Sequence, residues 1–352
     1  MSLGDPVQAK MVHYPLAFKK PSGTSRGVLT TKDSWLIYLT QGDRWGLGEC
    51  SLIQDLSPDP MSGFVDQLRW VESHASMGFE TVYQQLSQYP SIRFGWEQAW
   101  QSLHAQTPMH LFPSSFTRGE VPIDINGLVW MGPIDQMRQE VSDKINQGFK
   151  AVKFKVGALD FASELNLIRE VRALYPEDQV GIRLDANGGF PPQQALHYLE
   201  QLSPLGIHSI EQPVSPKYRK LLGELCAQSP IPIALDESLI GVEQPGERDE
   251  LLDEVSPQYL ILKPSLIGGF RSAQDWISRA EQRGIQWWVT SALESNIGLN
   301  AIAQWTFTQQ SKLLQGLGTG GLFTNNIEGP LTVDHGRLWY DTNKEWSPIP
   351  QL

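Results

Sequence analysis

The sequence predicts an α/β chain in which a closed (β/α) barrel follows a smaller α+β unit. Three observations carry this expectation. From Val121 onward, short apolar strands ending in polar residues alternate with helical stretches, which argues for a parallel sheet. Eight such strands fall within about 200 residues, the scale of a closed barrel. An open doubly wound sheet would carry a Gly-rich phosphate loop after an early strand, and "GTGG" at Gly318 to Gly321 comes after the last strand and matches neither nucleotide fingerprint.

Before the barrel, "RGVLTTKDSWLIYLTQGDRWGLGECS" (Arg26 to Ser51) alternates apolar and polar residues between Gly turns, so antiparallel strands are expected. Helical patterns follow from about Met61 to Gln106, and Pro108 to Gly119, rich in Pro, Ser and Thr, reads as a linker. The barrel strands are then "VPIDINGLVW", "GFKAVKFKVG", "QVGIRLDANGG", "IHSIEQP", "IPIALDES", "YLILKPS", "IQWWVTSALES" and "LLQGLGTG". Helices are expected at Ala162 to Leu174, Gln193 to Leu202 and Phe270 to Arg283. The expected division is a capping domain over 4–110, rejoined by about 325–352, and a barrel over 121–324.

Composition bounds the function. The 352 residues carry a formal net charge of −11 with dispersed lysines and arginines, so no nucleic-acid partner is expected. No stretch of about 18 apolar residues occurs, which argues against a membrane partner. Cys50 and Cys226 have no disulfide or metal spacing, and the N-terminus has no apolar signal region, so a cytoplasmic protein is expected. Met1 to Leu3 are read as a vector remnant. Oligomeric state stays open.

In a (β/α) barrel the active site lies at the C-terminal ends of the strands. There this chain places Lys153 and Lys155 on strand two, Asp185 and Asn187 on three, Glu211 on four, Asp236 and Glu237 on five, and Lys263 on six. Asp185, Glu211 and Asp236 are 26 and 25 positions apart, and Lys263 is 27 further on, so each appears once per βα unit. Three neighbouring carboxylates repel one another unless a cation holds them; single acids at strand ends often do no more than cap helices. With oxygen donors and no His or Cys nearby, Mg²⁺ is the expected ion, with Mn²⁺ as a substitute.

Strand alternation points Lys153 and Lys155 the same way. If that face is the barrel interior, each ammonium is expected to depress the other's pKa, leaving one lysine neutral near pH 7 as a general base. Lys263, four strands away, would approach the substrate from the opposite side. A divalent metal and opposed lysines suit removal of a proton next to a carboxylate, where the enediolate gathers negative charge.

At these residues the sequence resembles the enolase superfamily. The motifs are Lys153-Phe154-Lys155, Asp185-Ala186-Asn187, Glu211-Gln212-Pro213, Asp236-Glu237-Ser238 and Lys263-Pro264, with "WGLGECS" at Trp45 to Ser51 resembling the family's GxGE hairpin. The resemblance implies a modified TIM barrel, (β/α)7β, with an α+β capping domain. It implies Asp185, Glu211 and Asp236 as metal ligands, and Lys155 and Lys263 as acid/base groups. Lys153 would modulate Lys155 and touch the substrate carboxylate, with Asn187 and Glu237 supporting the ligands.

Among members with lysines on both sides of the site, the resemblance implies a syn dehydration of a cyclohexadiene carboxylate to an aromatic acid of the menaquinone route. N-acylamino acid racemization and muconate cycloisomerization are the alternatives, and a non-catalytic binding barrel is the alternative of another class. Dipeptide epimerases would carry Asp-x-Asp at strand eight, where this chain has Leu317-Gly318-Thr319, so a cationic substrate end is not expected. Ser291, Gly318 and Thr319 are the expected substrate-binding residues. The expected partner is a small carboxylate.

Overall fold

A computed structural model of the chain describes residues 5–24 and 27–350. Met1 to Leu3, position 4, Arg26 of the expected hairpin and the last two residues lie outside the described residues.

The chain opens with β1 (Gln8–His13), β2 (Leu16–Thr24), β3 (Gly27–Lys32), β4 (Ser34–Gln41) and β5 (Arg44–Ser51). β1, β4 and β5 form an antiparallel sheet, and β2 and β3 form a separate hairpin. The helices α1 (Phe64–His74), α2 (Phe79–Gln85) and α3 (Pro90–His104) follow. Pro90 suits the first turn of α3, where no intrahelical donor is needed.

The GxGE motif has a packing reason. A Cβ on Gly48 would stand 1.9 Å from Gly95 O, and one on Gly46 2.3 Å from Leu103 N, both on α3. β5 therefore touches the helix backbone to backbone, as only glycine permits.

After the short strand β6 (Ile123–Asp124), the barrel strands are β7 (Gly127–Val129), β8 (Ala151–Lys155), β9 (Gly181–Asp185), β10 (Ile207–Glu211), β11 (Ile233–Leu235), β12 (Tyr259–Leu262) and β13 (Gln286–Val289). From β7 to β13 they form one parallel sheet in sequence order. Helices α4 (Ile134–Asn146), α5 (Phe161–Leu174), α6 (Ala195–Leu202), α7 (Arg219–Gln228), α8 (Pro245–Val255) and α9 (Phe270–Gln282) lie between consecutive strands, and α10 (Asn296–Thr308) follows β13. Apolar outward positions such as Val152, Phe154, Ile182, Leu184 and Ile210 join helix residues such as Leu165, Ile168 and Leu199 in the main core.

Two expected strands differ. "VPIDINGLVW" splits at Ile125 and Asn126: its first part, β6, pairs antiparallel with the C-terminal hairpin, and only its second part, β7, joins the barrel. "LLQGLGTG" shrinks to a seam. Gln315 bridges Ile125 and Gly316 bridges Thr290, both parallel, and the bonds Asn126 N to Gln315 O (3.0 Å) and Gly316 N to Val289 O (2.8 Å) close the barrel.

The segment read as a linker is packed. Met109, Leu111 and Phe116 are buried, and Met109 O accepts bonds from Asn300 and Gln304 of α10. The C-terminal stretch divides between both domains. Ile327, Trp346 and Ile349 pack with Leu36 and Leu47 of the cap, whereas the hairpin β14 (Leu331–Asp334) and β15 (Arg337–Tyr340) pairs with β6, just ahead of the first barrel strand.

Among the described residues, no helix is long and apolar enough to cross a membrane. Gly48→Ala is expected to destabilise the protein by about 3 kcal/mol, at the upper end of the overpacking range, because its nearest obstacle is backbone. Urea unfolding measures this, and a change below about 0.5 kcal/mol would show that the cap accommodates the methyl.

Candidate active site

Register explains how residues far apart in sequence meet. Lys155 lies opposite Asp185, and Asp185 opposite Glu211, at the ends of three adjacent parallel strands. Asp236 directly follows β11, Asp236 and Glu237 open a short 3-10 turn, and Lys263 directly follows β12. Lys153 and Lys155 share a face while Val152 and Phe154 are buried in the outer core, as alternation requires.

The charges are tightly paired. Lys153 Nζ donates to Glu211 Oε2 (2.9 Å), Glu211 Oε1 (3.0 Å) and Asp185 Oδ2 (3.1 Å). Lys155 Nζ donates to Asp185 Oδ2 (2.9 Å) and Asn187 Oδ1 (2.7 Å), and Lys263 Nζ to Asp236 Oδ2. Asn187 Nδ2 donates to Glu237 Oε1 (2.9 Å), linking the ends of β9 and β11. Asn187 itself has φ 44°, a left-handed conformation that Asn tolerates better than most residues. Lys153 and Lys263 are only 7% and 9% exposed, and the three carboxylates are buried.

These contacts reverse one expectation. Burial alone would lower the pKa of Lys153, but Glu211 and Asp185 outweigh it and raise that pKa, so mutual depression by the two lysines does not govern Lys153. Burial likewise opposes the charge on Lys263, and Asp236 and Glu237 overcome it. Asp185 is also buried, yet Lys155, Lys153 and Lys263 hold its pKa well below the carboxylate range. For Glu211, burial and repulsion from Asp185 and Asp236 prevail over Lys153 and push the pKa up to about 8.

Among the described residues, no three acidic, His or Cys side chains gather as a ready metal site; the Lys153 ammonium stands between Asp185 and Glu211. The donor set nevertheless fits a hard divalent cation. It consists of three carboxylates at adjacent strand ends, oxygen donors with no His or Cys among them, which is the ligand chemistry such an ion takes.

A cavity of about 370 Å³ opens above this cluster. Lys153, Lys155, Asn187, Glu237 and Lys263 line it, together with Ser291, Gly318 and Thr319, so these expected site residues meet in one space. Ser291 Oγ and Thr319 Oγ1 are 2.6 Å apart. The cap supplies Leu29 and the stretch Ile53 to Leu56 as walls. The sequence left open whether the loop near Leu52 to Pro60 closes over the site, and it gave no sign of Leu29 or of Asn126, which lines the cavity and accepts from Arg183 Nη1 (3.1 Å). Asn126 lay within the quoted first strand, but nothing in its pattern distinguished it from a turn residue.

A capped parallel barrel with these residues has a counterpart among known families. The model of the family described as "Enolase C-terminal domain-like" matches residues 136–344, and the chain belongs to the enolase superfamily. It is 41% identical over 354 aligned residues to the o-succinylbenzoate synthase of Desulfotalea psychrophila, covering 92% of this chain and 96% of the relative. The crystal structure of MenC from Desulfotalea psychrophila superposes with a TM-score of 0.86 at 37% identity, covering 95% of this chain and all of that one. The L-Ala-D/L-Glu epimerase of Bacillus subtilis is 29% identical over 50% of this chain and 48% of its own length.

Removing one partner of a buried ion pair costs about 3–5 kcal/mol, since the other charge is left uncompensated. Lys153→Met is therefore expected to lower the stability of EDTA-treated protein by about 3 kcal/mol, with saturating Mg²⁺ recovering most of the loss. Equal losses with and without Mg²⁺ in urea titrations would separate Lys153 from the charge balance of the carboxylates.

Proposed function

We propose that this enzyme is a Mg²⁺-dependent o-succinylbenzoate synthase, a hydro-lyase of the cytoplasm. It would convert 2-succinyl-6-hydroxy-2,4-cyclohexadiene-1-carboxylate to o-succinylbenzoate. The observation that supports this most is that Lys155 and Lys263 face one cavity from strands four places apart, with buried carboxylates between them. The 41% identical relative favours dehydration over the other reactions such a site could perform.

Asp185, Glu211 and Asp236 would hold the metal, with Asn187 and Glu237 supporting them, and Mn²⁺ could replace Mg²⁺. Bound there, the ion would supply positive charge at the substrate carboxylate and lower the cost of the enediolate. Lys155, aimed by Asp185 and Asn187, takes the proton next to that carboxylate once its amine is neutral. Lys153 balances Glu211 and Asp185 beside it, and Lys263 presents its charge to the enediolate from the other side. Hydroxide then leaves on the face from which the proton was taken and recovers that proton from Lys155. One water is lost in all, and the ring becomes aromatic.

Ser291 and Thr319 add two hydroxyls to the cavity wall, hydrogen-bonded to each other and each able to turn and donate to a succinyl carboxylate, and the Gly318 backbone leaves room beside them. Neither they nor Leu317 offers a negative charge for an ammonium group, which disfavours a dipeptide substrate. Racemization of an N-acylamino acid could use the same two lysines and is the competing reading.

The test offers purified protein with Mg²⁺ the cyclohexadiene substrate and, separately, an N-acylamino acid. Dehydration is expected to be the faster reaction, to stop in EDTA and return with Mg²⁺, and to fall by about 10²–10⁴-fold in Lys155→Ala. Faster racemization would overturn the substrate assignment, and full activity in EDTA would overturn the metal.

A further inference from the structure

Away from the carboxylate cluster, the cap and the barrel share a second set of buried charges. Lys32, at the end of β3, is 4% exposed, and its ammonium donates to Ser51 Oγ. Glu49 on β5 and Glu294, just before α10, are fully buried. Glu49 accepts from Ser34 Oγ (2.9 Å) within the cap. Across the domain boundary it accepts from Ser295 N (2.9 Å), Ser295 Oγ and Gly298 N (2.9 Å). It thus satisfies free N–H groups at the start of α10, where the helix dipole favours an anion.

Glu294 accepts from Ala292 N (2.8 Å) and from Ser265 Oγ. A Cβ on Gly298 would stand 2.8 Å from Glu294 Cβ and 2.9 Å from Glu49 Oε2, so a glycine is what lets both side chains crowd this helix start. Burial lowers the pKa of Lys32, and Glu49 and Glu294 both act against that, which places the ammonium in the field of both carboxylates.

The two bonds of Glu294 end in the walls of the active site. Ala292 lines the cavity next to Ser291, and Ser265 lies two residues beyond Lys263. The chain between Ala292 and Glu294 turns through Leu293 at φ 60°, a left-handed conformation that a leucine adopts only when its surroundings hold it there. One carboxylate therefore fastens the Lys263 loop to the Ser291 loop, and the cap supplies the charges around it.

We propose that Glu294 is a positioning residue that fixes Lys263 relative to Ser291, and that Lys32 and Glu49 complete it, so that the catalytic geometry depends on the seated cap. This rests on the functional reading above in giving Lys263 a part in the reaction. Burying three charged groups is a costly way to join two surfaces, and an apolar patch would serve adhesion as well. Directional acceptors fix where the two loops sit relative to each other.

Ser265→Ala removes the tie to the Lys263 loop while leaving every charge in place, and Glu294→Ala removes both ties. With Mg²⁺ present, kcat is expected to fall about tenfold in Ser265→Ala and further in Glu294→Ala, while the KM and product affinity of Ser265→Ala stay within about twofold. Purely structural damage would instead reduce the folded fraction and leave kcat per folded molecule unchanged, and that outcome overturns the proposal. Lys32→Met is expected to lower kcat, and Lys32→Met with Glu294→Gln to recover part of it because both charges go together. No recovery removes Lys32 from the proposal.

Hydrogen exchange reads the same claim without substrate. The amides of Leu266 and Ile267, bonded to Lys263 O at 2.8 and 3.2 Å, are expected to exchange about tenfold faster in Ser265→Ala. Unchanged exchange overturns the positioning role. Wild-type protein that fails to dehydrate its substrate defeats the functional reading alone, leaving exchange to decide this one.

Discussion

Everything at the barrel mouth depends on keeping buried carboxylates beside one another without water. Asp185 and Glu211 end adjacent strands in register and Asp236 directly follows the next strand, which brings the three to one mouth. Lys153, Lys155 and Lys263 provide the opposing charge. Paired charges of this kind add little to stability, because desolvation offsets most of the attraction. Their value is in where they hold the ammonium groups: each lysine is kept at the cavity surface by a carboxylate, facing the space a substrate would fill. The same balance suits a divalent ion, since a cation taken up by the carboxylates would change the hold on every lysine at once.

The cap is the second condition. Its sheet lies backbone to backbone on α3 through Gly46, Gly48 and Gly95, and the residue after Gly48 is Glu49, which reaches the start of α10 in the barrel. A close-packing motif and an interdomain contact thus occupy adjacent positions. Walls from the cap at Leu29 and Ile53 to Leu56 complete the cavity, so the space above the carboxylates is formed by cap and barrel together.

Much of the barrel was legible because its signals are local and repeated. One acid or lysine per βα unit, at strand ends, fixes neighbours around a mouth whatever the loops do, and the cavity does gather Lys153, Lys155, Lys263, Ser291 and Thr319. The sign of the Lys153 shift was not legible. Alternation shows that two lysines share a face, but Glu211 is 58 positions away in sequence and its approach depends on strand register. Pro108 to Gly119 looked like a linker by composition, yet Phe116 is buried, because tertiary packing outweighs a run of Pro and Ser. Strand eight kept only two bridging residues, since hydrogen bonds from both neighbours can close a barrel without a full ladder. Lys32 carried no signal at all: within an alternating strand it reads as a solvent-facing residue, and only the fold buries it.

On the proposed mechanism Lys155 takes the proton next to a carboxylate while Lys263 faces the same carbon from the other side. Solvent exchange tests it most directly. A substrate-like carboxylate that keeps its α-proton but has no hydroxide to lose would be incubated in D₂O with Mg²⁺ and wild type, Lys155→Ala or Lys263→Ala protein, and deuterium uptake at that carbon followed by proton NMR. Uptake is expected with wild type and none above background with Lys155→Ala, with product affinity retained. Uptake by Lys155→Ala at the wild-type rate would contradict it.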